Sequence, residues 1–150
     1  MAYKVFFDTN IILDILLKRE PFFERSQKAL LEVAKRKFIP YVSGSSITDL
    51  YYICKKAGLE KEKVVEYLKD LLNTFEVLII DKETINNAFS LDMSDFEDAV
   101  QVSACKNEGI DLIVTRNKQD FEDISISIQT PEEFLDGFLE TEKEEEHSTG

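Results

Sequence analysis

Residues 3–16 read Tyr-Lys-Val-Phe-Phe-Asp-Thr-Asn-Ile-Ile-Leu-Asp-Ile-Leu, and this stretch sets the architecture. Tyr3–Phe7 is a run of β-formers with no polar alternation beyond Lys4, the pattern of a strand buried on both faces. Asp8-Thr9-Asn10 interrupts the run. Apolar residues then recur at helical spacing, at Ile11, Ile12, Ile15 and Leu16, up to Lys18. A doubly buried strand that turns straight into a helix is the opening of a parallel α/β unit.

The same alternation continues along the chain. Helices are predicted over Pro21–Arg36, Ser45–Lys56 (stopped by Gly58), Lys61–Phe75 and Glu83–Ser90, and strands over Phe38–Val42 and Val77–Ile80. Ser94-Asp95-Phe96-Glu97 reads as a capping box, with Ser94 as N-cap and Glu97 three residues on. It starts a helix at Asp95 that runs to about Asn107, with Gly109 as its stop. Leu112–Val114 is a further buried strand, and Ile124–Ile128 a shorter one nearer an edge. Thr130-Pro131-Glu132-Glu133 opens a last helix, with Pro at the first helical position. The expected fold is a three-layer α/β/α arrangement around a central, mainly parallel sheet of about four or five strands. Residues 1–139 form one domain in this reading, and 140–150 an acidic, disordered tail.

Composition bounds the function. The 150 residues carry 30 acidic and 18 basic side chains, a formal net charge of -12. Five Glu and one Lys of this set lie in residues 140–150, so the folded part is acidic as well. Bulk electrostatics therefore oppose a polyanionic ligand unless metal ions and local bases invert the sign at one place. Cys54 and Cys105 sit in apolar helical patterns and read as reduced core residues. No apolar run approaches the ~18 residues of a membrane span. The expectation is a soluble, cytoplasmic protein with no membrane partner.

In a parallel sheet the ligand crevice lies beyond the carboxyl ends of the strands. Asp8, Thr9 and Asn10 follow the first strand. Ser43-Gly44-Ser45-Ser46 follows the second, with Asp49 one helical turn later. Thr115-Arg116-Asn117 follows Leu112–Val114, with Asp120 three residues on, and Asp95 and Asp98 share a face at a helix start. Carboxylates gathered at one rim repel unless a hard cation such as Mg²⁺ or Mn²⁺ joins them. The sole histidine, His147, lies in the tail, which excludes a His-ligated zinc site and a His base. Asp-held metal suits phosphodiester hydrolysis. Lys4, Lys18, Arg19, Arg116 and Lys118 are candidate bases to steer a phosphate backbone, Arg116 and Lys118 being the substrate-binding candidates.

Four of these segments in order resemble the PIN-domain family: Asp8-Thr9-Asn10, Ser45-Ser46-Ile47-Thr48-Asp49-Leu50, Asp95-Phe96-Glu97-Asp98-Ala99 and Thr115-Arg116-Asn117-Lys118-Gln119-Asp120-Phe121. The resemblance spans roughly residues 3–135. It implies a Mg²⁺- or Mn²⁺-dependent endoribonuclease, often the toxin of a VapC-type toxin–antitoxin pair, with RNA as substrate, an antitoxin as partner and a homodimer as a common assembly. Carried over by position, Asp8 is the central metal ligand, joined by Asp98 and Asp120, with Asp95 beside them. Asp8, Asp49, Asp98 and Asp120 form the catalytic set. Thr9, Asn10, Ser45, Thr115 and Asn117 order the shell. Two positions depart from the family pattern: Asp49 stands where Glu is usual, and Asn117 where another acid is common.

Other readings stay open at this stage. A PIN fold that has lost turnover and only binds RNA or a protein is motivated by Asp49. An aspartate-based phosphatase or phosphoacceptor on a similar sheet is a third class, although Asn10 stands where such a phosphatase wants a second Asp. Residue by residue, Asp8 also suits a helix cap, Asp95 a charge that only complements the helix dipole, Asp120 a turn cap, and Phe22-Phe23 reads as core and not as a base-stacking platform.

Overall fold

The computed structural model describes residues 2–121 and 124–138. Its element order is β1 (Lys4–Phe7), α1 (Thr9–Leu16), α2 (Phe23–Lys35), β2 (Ile39–Ser43), α3 (Gly44–Lys56), α4 (Lys61–Thr74), β3 (Glu76–Leu78), α5 (Lys82–Ala88), α6 (Phe96–Glu108), β4 (Leu112–Val114), a 3₁₀ turn (Lys118–Phe121) and β5 (Ser127–Gln129). A last helix, α7, occupies 131–138. The five strands order β3-β2-β1-β4-β5, and every pairing is parallel. This is the expected three-layer α/β/α architecture. The expected acidic tail at 140–150 lies outside the described residues.

The layers follow from the two-residue period of a strand. Val5 and Phe7 point to one side, where they pack with Leu112 and Val114, with Ile11–Leu13 of α1, and with residues of α2, α3, α4 and α7. Phe6 points to the other side with Ile113, Tyr41 and the α6 residues Val102, Ala104 and Cys105. Adjacent phenylalanines thus serve separate cores. Phe7 is wholly buried and meets Phe75 edge-on at 5.8 Å. Both cysteines are free and buried.

Several boundaries differ from the sequence expectation, each for a tertiary reason. β3 spans Glu76–Leu78 and not Val77–Ile80, because its partner β2 ends at Ser43, paired with Leu78, and turns into α3. β5 starts at Ser127, since its ladder needs Leu112–Val114 opposite; Ile124 and Ile126 only pack against the core. The cap of α6 is Asp95 and not Ser94: the Asp95 carboxylate accepts the Asp98 N–H at 2.9 Å, so the helix begins at Phe96 and Glu97 is released from the capping box. Gly109 does stop α6, at φ 74°, a left-handed conformation open to glycine. Thr130 and Glu133 form a reciprocal capping box at α7, each accepting the other's N–H at 3.2 Å. Among the described residues no helix is long and apolar enough to cross a membrane.

Truncating Phe7 opens a cavity between β1 and the α1–α4 layer. Phe7→Ala should lower the unfolding free energy by about 3–5 kcal/mol, read from urea midpoints at unchanged m-value.

Candidate functional site

The strand order reverses at β1, which pairs β2 on one side and β4 on the other. Side chains just beyond β1 and β4 therefore face one crevice. Asp8 directly follows β1 and Thr115 directly follows β4. The buried Thr115 hydroxyl accepts the Asn117 N–H at 3.1 Å and donates to Asp8 Oδ2 at 2.9 Å. The Asn117 donor leaves the hydroxyl proton one destination, the Asp8 carboxylate. Asp8 occupies the N-cap position of α1, yet its side chain makes no capping bond. Its backbone N–H instead donates to Val114 O at 3.1 Å, so main chain and side chain alike reach across to β4.

Further acids come from three other elements: Asp49 from α3, Asp95, Glu97 and Asp98 from the start of α6, and Asp120 from the 3₁₀ turn. The charges of these acids act on the proton affinities of Asp8, Asp98 and Glu97. Burial foremost raises the Asp8 carboxyl above its ordinary value; the Asp120 charge adds to the rise, while hydrogen bonds from Thr115 and the Thr9 backbone and the Arg116 charge oppose it. Asp98 is pushed up to about 6, by burial and then by the charges of Asp95, Asp8, Asp120 and Glu97. Glu97 is raised by burial and then by Asp49, Asp95 and Asp8.

Glu97 was absent from the candidates, because it read as a capping residue; its place beside Asp49 is a tertiary fact. Asp95 joins the field while one of its oxygens caps α6.

Hydroxyls brace the neighbouring helices. Thr9 Oγ1 lies 2.6 Å from Ser46 Oγ, Ser46 lies 2.8 Å from Ser43, and Ser45 lies 3.1 Å from Ser43. Ser46, not Ser45, makes the link between α1 and α3. Asn10 is half-buried in the first turn of α1, and Asn117 contributes its backbone N–H.

The bases are largely committed. Arg116 donates through Nε and Nη2 to Asp14 at 2.7 and 3.3 Å, and its guanidinium lies 3.9 Å above the Phe22 ring. Asp14 is 0% exposed and has Arg19 3.8 Å away as a second cation. A carboxylate buried this deeply persists only with such partners. The clamp fixes the loop between Thr115 and Asn117 on α1. Lys118 pairs with Glu133 at 3.1 Å. Lys4 is a correction: it starts β1, at the amino end of the sheet, where it binds Glu108 at 2.9 and 3.2 Å, so it is not a rim base.

The donor set is oxygen throughout, which suits a hard divalent ion. Among the described residues no three of these acids already converge at ligand spacing. Asp95 and Asp120 are exposed side chains, so rotation at the rim can close the set around an ion. The raised proton affinities mark a site with more negative charge than its surroundings solvate, a demand that protons or a cation satisfy. Asp8, Asp98 and Asp120 are the residues that would hold one.

A carboxyl raised from 3.8 to about 6 binds its proton more tightly in the folded state. Its stabilising contribution is complete below the unfolded value and is lost as pH rises through about 6. Without divalent ions, Asp98→Asn should therefore raise the thermal midpoint at pH 7 more than at pH 4, as calorimetry at the two pH values will read.

A family model described as "PIN domain" matches residues 4–119. The chain is 31% identical over 138 residues to the protein named Ribonuclease VapC1 from Aquifex aeolicus (strain VF5), covering 89% of this chain and 94% of that one. Among solved structures, VapBC2 from Rickettsia felis bound to a DNA fragment from their promoter matches at TM-score 0.64 and 19% identity, covering 85% of this chain and 98% of that chain. Mycobacterium tuberculosis VapC20, described as a sarcin-ricin loop cleaving toxin, matches at TM-score 0.61 and 11% identity, covering 82% of this chain and 98% of that chain. The structural likenesses bear on the fold, and the first two matches on descent: this chain belongs to the PIN-domain family.

Proposed function

We propose that this protein is a divalent-metal-dependent endoribonuclease, the toxin of a toxin–antitoxin pair, acting in the cytoplasm on RNA phosphodiester bonds. The observation that carries the reading is the gathering of Asp8, Asp98 and Asp120 around the β1–β4 switch point, where the Asp120 charge raises the proton affinity of Asp8 and the charges of Asp8 and Asp120 raise that of Asp98. The relative from Aquifex aeolicus, named a ribonuclease, supports it, as do neighbours of the same fold such as the toxin–antitoxin complex from Klebsiella pneumoniae, TM-score 0.63.

Mg²⁺ or Mn²⁺, when bound, supplies Lewis acidity and positive potential opposite the scissile phosphate. The chain's own part is positional. Thr115 holds Asp8 in one orientation, so the carboxylate pays no ordering cost when ligand arrives. Burial and the neighbouring acids oppose the ionised form of Asp98, a cost that a cation held there would relieve. Asp49 sits one methylene short of the family's usual Glu, and Glu97, whose proton affinity its charge raises, lies alongside. We assign this pair to orienting water at the rim. Arg116, locked on Asp14, moderates the charge at Asp8 without needing to reach substrate.

A second reading, a PIN module that binds but does not turn over, is favoured by the short Asp49 and by the open spacing of the acids.

Metal-dependent cleavage of RNA separates the readings. Wild type with Mn²⁺ should cleave, and Asp8→Asn should lose at least about a hundredfold in rate. Thr115→Val, which removes only the bond to Asp8, should cost about 10–100-fold. If Mn²⁺ at millimolar concentration neither binds nor supports cleavage of any RNA class, the binding-module reading replaces the enzyme. At pH 7, Mn²⁺ should raise the thermal midpoint of wild type and leave Asp8→Asn nearly unmoved. The antitoxin arm predicts that a small protein encoded beside this one, when co-expressed, relieves the growth arrest that this chain causes alone.

A further inference from the structure

Phe89 and Phe96 are 69% and 48% exposed, yet their rings stack on one another, with centroids 4.9 Å apart and planes 27° from parallel. Two large apolar rings left this exposed forgo much of the stabilisation that burial would give them. The pair is also well placed. Phe96 is the first residue of α6, and its chain neighbours Asp95 and Glu97, each about 3.8 Å away along the backbone, both belong to the acid field of the site. Phe89 is the C-cap of α5 and its ring stacks on that of Phe96, so the two rings offer an exposed, mutually ordered apolar face at the start of α6, next in the chain to Asp95 and Glu97.

Electrostatics say what kind of ligand that face takes. The chain carries a net charge of -12, and the two bases following Thr115 are tied up, Arg116 by Asp14 and Lys118 by Glu133. Phosphate contacts are therefore a weak source of affinity for a polynucleotide here. Base faces are neutral, and stacking on an aromatic ring holds single strands without any cation. Paired bases are unavailable for this, because their faces are covered in the duplex.

We propose that Phe89 and Phe96 form a stacking platform for an unpaired nucleobase of the RNA bound at the acid site. The inference rests on the ribonuclease reading and names the feature of RNA that this site grips. Phe96 makes the contact; Phe89 sets its plane.

The test uses full-length Asp8→Asn protein, so that RNA survives the measurement, and a short single-stranded oligoribonucleotide carrying 2-aminopurine, whose fluorescence falls on stacking. Binding should quench the probe. Phe96→Leu should abolish the quenching and weaken binding about five- to a hundredfold, Phe89→Leu should do so less, and Phe96→Trp should retain both. The salt dependence of binding should stay the same in all of them, and so should the mass by light scattering. If the leucine variants bind and quench like their parent, the platform is refuted while the ribonuclease reading stands. If they lose binding only together with a change in mass, the patch is an interface between copies of this chain, and the proposal is overturned. If the Asp8→Asn parent binds no RNA and wild type cleaves none, the ribonuclease reading fails first and the platform falls with it.

Discussion

The hydrogen bond from Thr115 to Asp8 joins the frame of this protein to its chemistry. It spans the ends of two adjacent parallel strands, so it forms only if β1 and β4 pair in the observed register, Phe7 opposite Val114. It also fixes the carboxylate around which the other acids gather. Asn117 feeds the same hydroxyl, and the Asp14–Arg116 clamp holds the intervening loop down on α1. The cleft is thus assembled from both sides of the β1–β4 junction, and a slip at that junction would dissolve it.

The cleft is electrostatically uncomfortable by construction. Burial and like charge both work against ionised Asp8 and Asp98. Elsewhere the chain treats buried charge differently: Asp14, fully enclosed, is given two arginines. Burial raises the proton affinity of Asp14 as well, but the group around Asp8 and Asp98 adds like charge to burial, the pattern of a site that a cation would relieve. Oxygen donors without imidazole or thiolate suit a hard cation.

Much of this was legible in the chain, because local rules and tertiary rules agreed. The apolar run at Val5–Phe7, the Gly109 stop and the Thr130–Glu133 capping box announce their elements through backbone conformation and hydrogen-bond demand. Asp8, Asp95, Asp98 and Asp120 stand out because each lies at or near the start or end of an element whose end faces the crevice, and Asp49 because it lies about one turn into the helix that follows β2. What misled was ambiguity between equally good local choices. Ser94 and Asp95 are both sound caps, and only the choice of Asp95 exposed Glu97 as a member of the field. Lys4 resembled the other bases until the strand direction placed it at the far end of the sheet. Asp14 hid inside an apolar helix, where a lone acid gives no sign of the Arg116 that it meets 102 residues later.

By itself the sequence determined the element types, their order, the parallel sense of the sheet and the identity of most acids, since these depend on periodicity and chain connectivity. Tertiary structure alone decided which acids feel one another, which bases already have partners, and that Phe89 and Phe96 lie ring on ring. The reason is physical: Coulomb energy, desolvation and stacking depend on distances through space, and for residues such as Asp8 and Thr115, 107 positions apart, those distances exist only once the sheet has closed.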